Sequence, residues 1–379
     1  MLLVETGVWH AISVPIILLI GAWIALAQKK LFLIGHRRAL FYYLWHTLFC
    51  FLYYLFSFDS VVDATGYYIS SANDSISFYL GTQSIKLLVS FFANNLGISY
   101  LGCFLIFNII GYIGMLAFAA SLNEITRSAG PLVRRLALLI LLLPSLSFWS
   151  SAIGKDALTF MASGILAWAA LKINRRALAF PIAFFLYLIA RPHIAGFLLF
   201  ALSMSIFSSY ASLAKKILLS MFFIPLTFIT MQAGLQFVGL GESMSLSSVY
   251  EYIQTRQALN LDGGSSINIA TMPLHSQLFS FLFRPLFFDA HNVLSFFASL
   301  DNVILLIIFV FSGSYLLMGA KSALPSFAFW FYLYFVVPAT LALSVTTANL
   351  GISVRQKWMI LPMLIIFSFS VLRRRSLTE

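Results

Sequence analysis

Charge is what this sequence has least of. Asp, Glu, Lys and Arg together make up 9% of 379 residues, against roughly 25% in soluble domains. So few charges cannot solvate a globular surface. With 61% hydrophobic and 16% aromatic residues and a mean hydropathy of +0.95, the chain is expected to be a polytopic membrane protein. One helical bundle then absorbs the whole length, and the usual expectation of one domain per ~150 residues does not apply. Cysteine is nearly absent as well. Cys50 and Cys103 both lie in apolar runs, which excludes a disulfide framework and a zinc cluster.

Acids are scarcer than bases, 12 against 23, for a net charge of +11. In a soluble protein that excess would suggest nucleic acid. In an apolar bundle its placement matters more than its size, and no nucleic-acid partner is expected. There is no Walker A loop, no Gly-rich dinucleotide fingerprint, no DxD pair and no HExxH motif. Those gaps disfavour chemistry on cytosolic nucleotides and leave no metal or cofactor expected. An activated substrate should arrive attached to lipid.

What is present is a series of apolar runs at 8–28, 39–57, 98–120, 136–150, 157–172, 178–190, 194–210, 217–238, 302–319, 326–347 and 357–372. They predict an all-α transmembrane bundle of about eleven spans forming a single integral-membrane domain over 1–379. Several runs are short for a ~30 Å hydrocarbon core, so 136–172 and 178–210 are candidates for broken or re-entrant pairs. The first run has no basic segment before it and reads as a span rather than a cleaved signal.

Charge then sets orientation. If 29–38, 121–135, 173–177, 211–216, 320–325 and 373–379 face the cytoplasm, they and Lys172 hold 16 of the 23 basic residues but only Glu124 and Glu379 of the acids. The positive-inside rule therefore predicts an outer amino terminus and a cytoplasmic carboxyl terminus. Two outer segments are too long for plain connectors. Residues 58–97 carry a helical apolar period suited to an interfacial helix. Residues 239–301 join a Gly/Ser/Asn-rich part to an amphipathic part and read as a long loop or lid.

The run LIARPHIAG (188–196) sets Arg191, Pro192 and His193 between two apolar segments. A permanent charge at such depth costs roughly 2.5–3.5 kcal/mol on insertion scales, which makes it a functional hypothesis by default; the bland alternative is a side chain that snorkels to the head groups. Seven basic residues remain on the outer side. Of these, Lys155, Arg191, Arg284 and Arg355 lie at predicted outer ends of apolar segments and suit phosphate or pyrophosphate oxygens, Arg through its planar fork and Lys as a point charge. The competing reading is pairing with local carboxylates, Lys155 with Asp156 first. A transferase also needs a base. Asp63 stands first, just beyond a span and followed by Tyr67 and Tyr68 as a possible sugar-stacking wall. His193 is second. The plain alternatives are a helix-capping Asp and a structural His.

With these residues assembled, the chain resembles bacterial polytopic glycosyltransferases of the GT-C type and Wzy-type polysaccharide polymerases. The likeness lies in short motifs over about 57–366: Asp63 with Tyr67 and Tyr68, PSLSFWSSAIGKDAL (144–158), ARPHIAG (190–196), FRPLFFDAHN (283–292) and NLGISVRQKWMILP (349–362). It implies a GT-C-like bundle in the bacterial inner membrane that joins polyprenyl-(pyro)phosphate-linked sugars at the periplasmic face, as an O-antigen or exopolysaccharide polymerase does. Asp63 or His193 would be catalytic. Lys155, Arg191, Arg284 and Arg355 would bind the (pyro)phosphate, and Tyr67, Tyr68, Asp156 and His291 the sugar or acceptor. The lipid bilayer and other polysaccharide-assembly proteins would be the partners. The chain departs from the GT-C plan in an extra span before the Asp63 loop and in having no large soluble domain after the bundle. A single-sugar transferase, an O-antigen ligase and a lipid-linked oligosaccharide flippase remain alternatives; for a flippase, internal duplication and mid-membrane charges would be expected.

Overall fold

The computed structural model describes residues 7–60, 62–71, 78–208, 212–237, 246–259 and 264–372. Glu5, Asp74, Glu242, Asp262, Arg373, Arg374, Arg375 and Glu379, which entered the charge pattern above, lie outside the described residues. Among those described, the chain is helical throughout, and the one β contact is an isolated antiparallel bridge between Ser266 and Asn349. The chain divides into two compact units.

The first unit gathers residues 1–124, 136–168 and 178–191. Its helices are α1 (Val8–Ala27), α2 (His36–Asp59), α3 (Asp63–Ser71), α4 (Thr82–Ser90), α5 (Tyr100–Thr126), α6 (Pro131–Leu141), α7 (Pro144–Ser150), α8 (Lys155–Ala170) and α9 (Ala179–Ala190). Proline opens α6 and α7, where a missing N–H costs nothing because the first turn has no carbonyl to receive it. Helix α2 packs on α1 and α7, and α4 on α3 and α9. Gly111 of α5 lies against the Ser150 carbonyl, and Gly114 against the backbone of Gly164 and Met161 in α8, so closely that a Cβ at Gly111, Gly114 or Gly164 would overlap those atoms. Such small-residue contacts bring helices together where lipid supplies no hydrophobic drive between them.

The second unit gathers 125–135, 169–177 and 192–379. Its main helices are α10 (Pro192–Ser208), α11 (Leu213–Phe237), α12 (Leu246–Leu259), α13 (Leu274–Phe283), α14 (Val293–Leu317), α15 (Ser326–Thr346), α16 (Leu350–Gln356) and α17 (Leu361–Leu372). Helix α10 lies between α11 and α15, and α13 touches α14, α15 and α16. Asn292 caps α14 by accepting the Ser295 N–H at 2.8 Å, and Asn349 caps α16 by accepting from Ile352 N at 3.2 Å.

Among the described residues, six helices are long and apolar enough to cross a membrane: Val8–Phe32, His36–Asp59, Tyr100–Thr126, Pro131–Ser150, Val293–Leu317 and Ser326–Thr346. The pair Leu350–Met359 and Leu361–Leu372, bent by 66°, makes a seventh if it is one broken span. The chain is thus a multi-pass, all-helical protein. The other runs expected to span form helices that are mostly shorter. At 1.5 Å per residue, α8, α9 and α10 reach only about 24, 18 and 26 Å. Two boundaries move. The run expected at 302 begins at Val293, because Asn292 supplies the cap and the polar pair Asp301–Asn302 is carried inside the helix. The long segment 239–301 is no plain loop, since it contains α12, α13 and the first turns of α14.

Candidate functional site

In the first unit, three separate chain segments bring expected site residues together. Helix α9 stops at Ala190 because Pro192 disfavours helical geometry in the residue before it. Arg191 accordingly adopts φ −149°, ψ 80°, with its N–H still donating to the Tyr187 carbonyl at 2.6 Å. The end of α9 is tied down by the Gly81 N–H, which donates to the Ile189 carbonyl at 2.7 Å. From there the Arg191 guanidinium reaches the first turn of α8, where Nη2 donates to Asp156 Oδ1 at 3.2 Å. The two side chains are only 15% and 8% exposed. Lys155 opens the same helix and is half-buried. Tyr67 of α3 lies against the turn before α8, its ring 3.7 Å from where a Cβ on Gly154 would sit. Asp63, one turn earlier, is exposed.

The Arg191–Asp156 pair is incomplete. A guanidinium can present two parallel N–H groups to one oxyanion, yet here a single long contact is made, and Nε is buried with no hydrogen-bond partner. Buried donors are rarely left so. Arg284, in the second unit, is the opposite case. Its Nε donates to Asp289 Oδ2 at 3.0 Å and its Nη2 to Oδ1 at 2.5 Å, while Oδ2 also accepts the Leu286 N–H at 2.9 Å. The Phe288 ring covers the guanidinium at 5.7 Å. Hydrogen bonding to Asp289 holds Arg284 above its ordinary pKa. For Asp289, burial pushes upward, but the Arg284 bonds and the Leu286 amide outweigh it and keep the carboxyl below its usual value. Arg284 therefore clamps the turn after α13, and its side-on edge is already filled.

The other expected residues divide as follows. Tyr67 and Tyr68 are 7% and 8% exposed. Tyr68 packs at a tilt of 52° on Tyr100, centroids 5.0 Å apart, and donates to the Ile98 carbonyl at 3.5 Å. Both rings are buried, and that of Tyr68 is packed against a neighbouring helix. Asp156 pairs with Arg191, 35 residues away in sequence. His193 is half-buried near the start of α10, and Arg355 is half-buried on α16, both in the second unit. His291 is exposed, with Nδ1 3.0 Å from the Asp289 carbonyl and Nε2 3.4 Å from Ser265 Oγ. The four expected cations thus fall two in each unit. Among the described residues no three His, Cys, Asp or Glu side chains are grouped as a metal site requires.

Two buried polar clusters were not singled out from sequence. In the second unit Lys357 is fully buried, its ammonium donating to Asn302 Oδ1 and, at 3.3 Å, to the Leu282 carbonyl. Asn302 Nδ2 in turn donates to the Pro285 carbonyl at 2.8 Å, and Asp301 is buried beside it. In the first unit His46 lies between Asn108 Oδ1 at 2.6 Å and Ser150 Oγ at 2.9 Å, with Asn108 donating to Thr47 at 2.8 Å. The signal available was a polar residue inside an apolar run, His46 in 39–57 and Asn108 in 98–120.

Compared with protein-family models, with curated proteins and with solved structures, the chain matches none. What its first unit offers chemically is a cationic edge, partly desolvated and only partly neutralised, in the same unit as an exposed carboxylate.

Proposed function

We propose that the chain is a membrane glycosyltransferase that joins polyprenyl-(pyro)phosphate-linked sugar units at the periplasmic face of the bacterial inner membrane, acting as a polymerase of O-antigen or another surface polysaccharide. The observation that carries this reading is the open edge of Arg191. A buried guanidinium with one long contact and an unpartnered Nε suits an anion of two or more oxygens better than it suits Asp156 alone. The charge distribution supports an amino terminus in the periplasm and a carboxyl terminus in the cytoplasm, with Lys155 and Arg191 on the outer side. Polysaccharide-assembly proteins of the same membrane would be its partners.

In the reaction, an acceptor hydroxyl oxygen attacks the anomeric carbon of the lipid-linked sugar. The anomeric C–O bond to phosphate breaks, and the lipid (pyro)phosphate departs with the bonding electron pair. Arg191 and Lys155 balance the charge that develops on it. Asp63, exposed at the start of α3, takes the hydroxyl proton, with His193 as the second candidate base. Arg284 plays a different part from the one its sequence position suggested. It shapes the turn over 284–289, and phosphate binding rests on Arg191.

The test is the glycan made in cells that carry Arg191→Lys or Asp63→Asn at normal protein level. A shortened or absent repeat ladder supports the reading. An unchanged ladder in both variants overturns it, and a product lengthened by one sugar only, in the wild type itself, assigns a single-sugar transferase instead.

A further inference from the structure

The turn after α13 is built to be apolar on its outside. Phe287 and Phe288 are 49% and 77% exposed, although they sit in a segment between Arg284 and Asp289 that should favour water. The two charges do not oppose burial in lipid, because they cancel each other through both nitrogen contacts and the Leu286 amide. Phe288 lies over the paired guanidinium and so presents its other face outward. The turn therefore exposes aromatic carbon over a neutralised pair.

That surface continues onto α14. Phe287 meets Phe296 with ring centroids 5.6 Å apart, and Phe296 meets Phe297 at 6.0 Å. Below them Leu300, Ile307, Val310 and Phe311 are exposed along the same helix, at the three-, four- and seven-residue spacings that mark one face. This is the face that a membrane-crossing helix turns to lipid, and α14 is long and apolar enough to cross. At 1.5 Å per residue its 25 residues span about 37 Å, several ångströms more than the ~30 Å hydrocarbon core. Its first turn, and the turn 284–292 joined to it, then lie at the head-group boundary.

We infer that the 284–292 turn is an interfacial membrane anchor: Phe287 and Phe288 insert into the bilayer beside α14, and the Arg284–Asp289 pair is the device that lets a charged sequence do so. The occupant is lipid, because the exposed surface runs without a break into a face that the membrane must cover. The inference does not depend on the glycosyltransferase reading.

The test uses spin labels in the full chain, reconstituted in vesicles of phosphatidylethanolamine and phosphatidylglycerol. Cys50 and Cys103 are buried, so labelling is directed to an introduced cysteine at Phe288→Cys, at Phe311→Cys as a lipid-facing reference, or at Lys30→Cys as an aqueous one. Phe288 and Lys30 are exposed, and Phe288→Cys gives up the ring contact over Arg284 but leaves the Arg284–Asp289 hydrogen bonds in place. The expected result is a Phe288 label that collides with dissolved oxygen more than with a water-soluble nickel chelate, giving a depth nearer the Phe311 label than the Lys30 label. A label as open to nickel as that at Lys30 overturns the inference. So does one shielded from both reagents, which is the signature of a protein partner. With Asp289→Asn the pair is broken, and the Phe288 label is expected to shift toward the aqueous reference.

Discussion

Replacing Arg191 by Lys tests whether the fork of this side chain, rather than its charge, is what the site uses. In the structure the guanidinium spends one Nη2 contact of 3.2 Å on Asp156 and keeps its Nε unbonded. A (pyro)phosphate taken up there gains two charge-assisted hydrogen bonds from one rigid edge. Lysine keeps the charge but offers a point donor, so about one such bond is lost. At about 1.5–3 kcal/mol for a hydrogen bond to a charged group, affinity falls by roughly tenfold to a hundredfold. Arg191→Ala loses both bonds and leaves the 8% exposed Asp156 without its guanidinium, adding a folding cost on the order of 3 kcal/mol. The assay is equilibrium binding of a long-chain polyprenyl phosphate to the purified protein, read alongside the amount of protein in the membrane. Arg191→Lys should weaken binding at unchanged abundance, whereas Arg284→Lys, acting on a filled pair, should leave affinity as it was. The reasoning fails if Arg191→Lys binds like wild type, or if Arg284→Lys weakens binding just as much in a normally abundant protein.

Three further outcomes follow from the geometry. Because the folded-state pKa of Asp289 is depressed, the stability it contributes is present above the ordinary carboxylate range and is lost as pH falls through the folded value. The Leu286 amide, which donates to that carboxylate, should therefore exchange slowly from pH 5 to 8 in wild type and quickly across the whole range in Asp289→Asn. Lys357→Ala strands Asn302 Oδ1 and leaves the buried Asp301 with no ammonium beside it, and should cost about 3 kcal/mol in denaturant unfolding, while Lys357→Met combined with Asp301→Leu and Asn302→Leu should recover much of the loss; additive single effects would contradict a coupled cluster. A Cβ at Gly164 meets backbone rather than a movable side chain, so Gly164→Ala should destabilise by about 1–3 kcal/mol. Unfolding indistinguishable from wild type would deny the close approach of α5 and α8.

Sequence pattern located the helical membrane class and the long apolar runs because both rest on composition and length. It placed a break at Arg191 and Pro192 for a local reason, the steric effect of proline on the residue before it. Where a run was apolar but short, as at Ala179–Ala190, the helix falls below the length of a plain span, and hydropathy does not say whether a helix crosses or stops. The start of α14 was put nine residues late because Asp301 and Asn302 were taken as a boundary, whereas Lys357, 55 positions away, allows their burial. The site was half legible. Charge type and end-of-helix position drew Lys155 and Arg191 into one group, and the structure puts them in one unit. Which arginine has an open edge was invisible, because Arg284 is fully paired with an acid five residues on and Arg191 only through one contact to an acid 35 residues back. The burial of Tyr67 and Tyr68 was illegible for the same cause: a tyrosine beside a loop acid reads alike whether its ring faces solvent or a neighbouring helix.

The 66° bend between Leu350–Met359 and Leu361–Leu372 bears on how the molecule is made. A sharply interrupted helix exposes amide groups that hydrocarbon cannot satisfy, and at this interruption Lys357 reaches out to α13 and α14. The bent segment 350–372 consequently cannot settle in the bilayer on its own during synthesis. It must wait until those earlier helices are in place to receive it, so integration of α13 and α14 precedes burial of the bend.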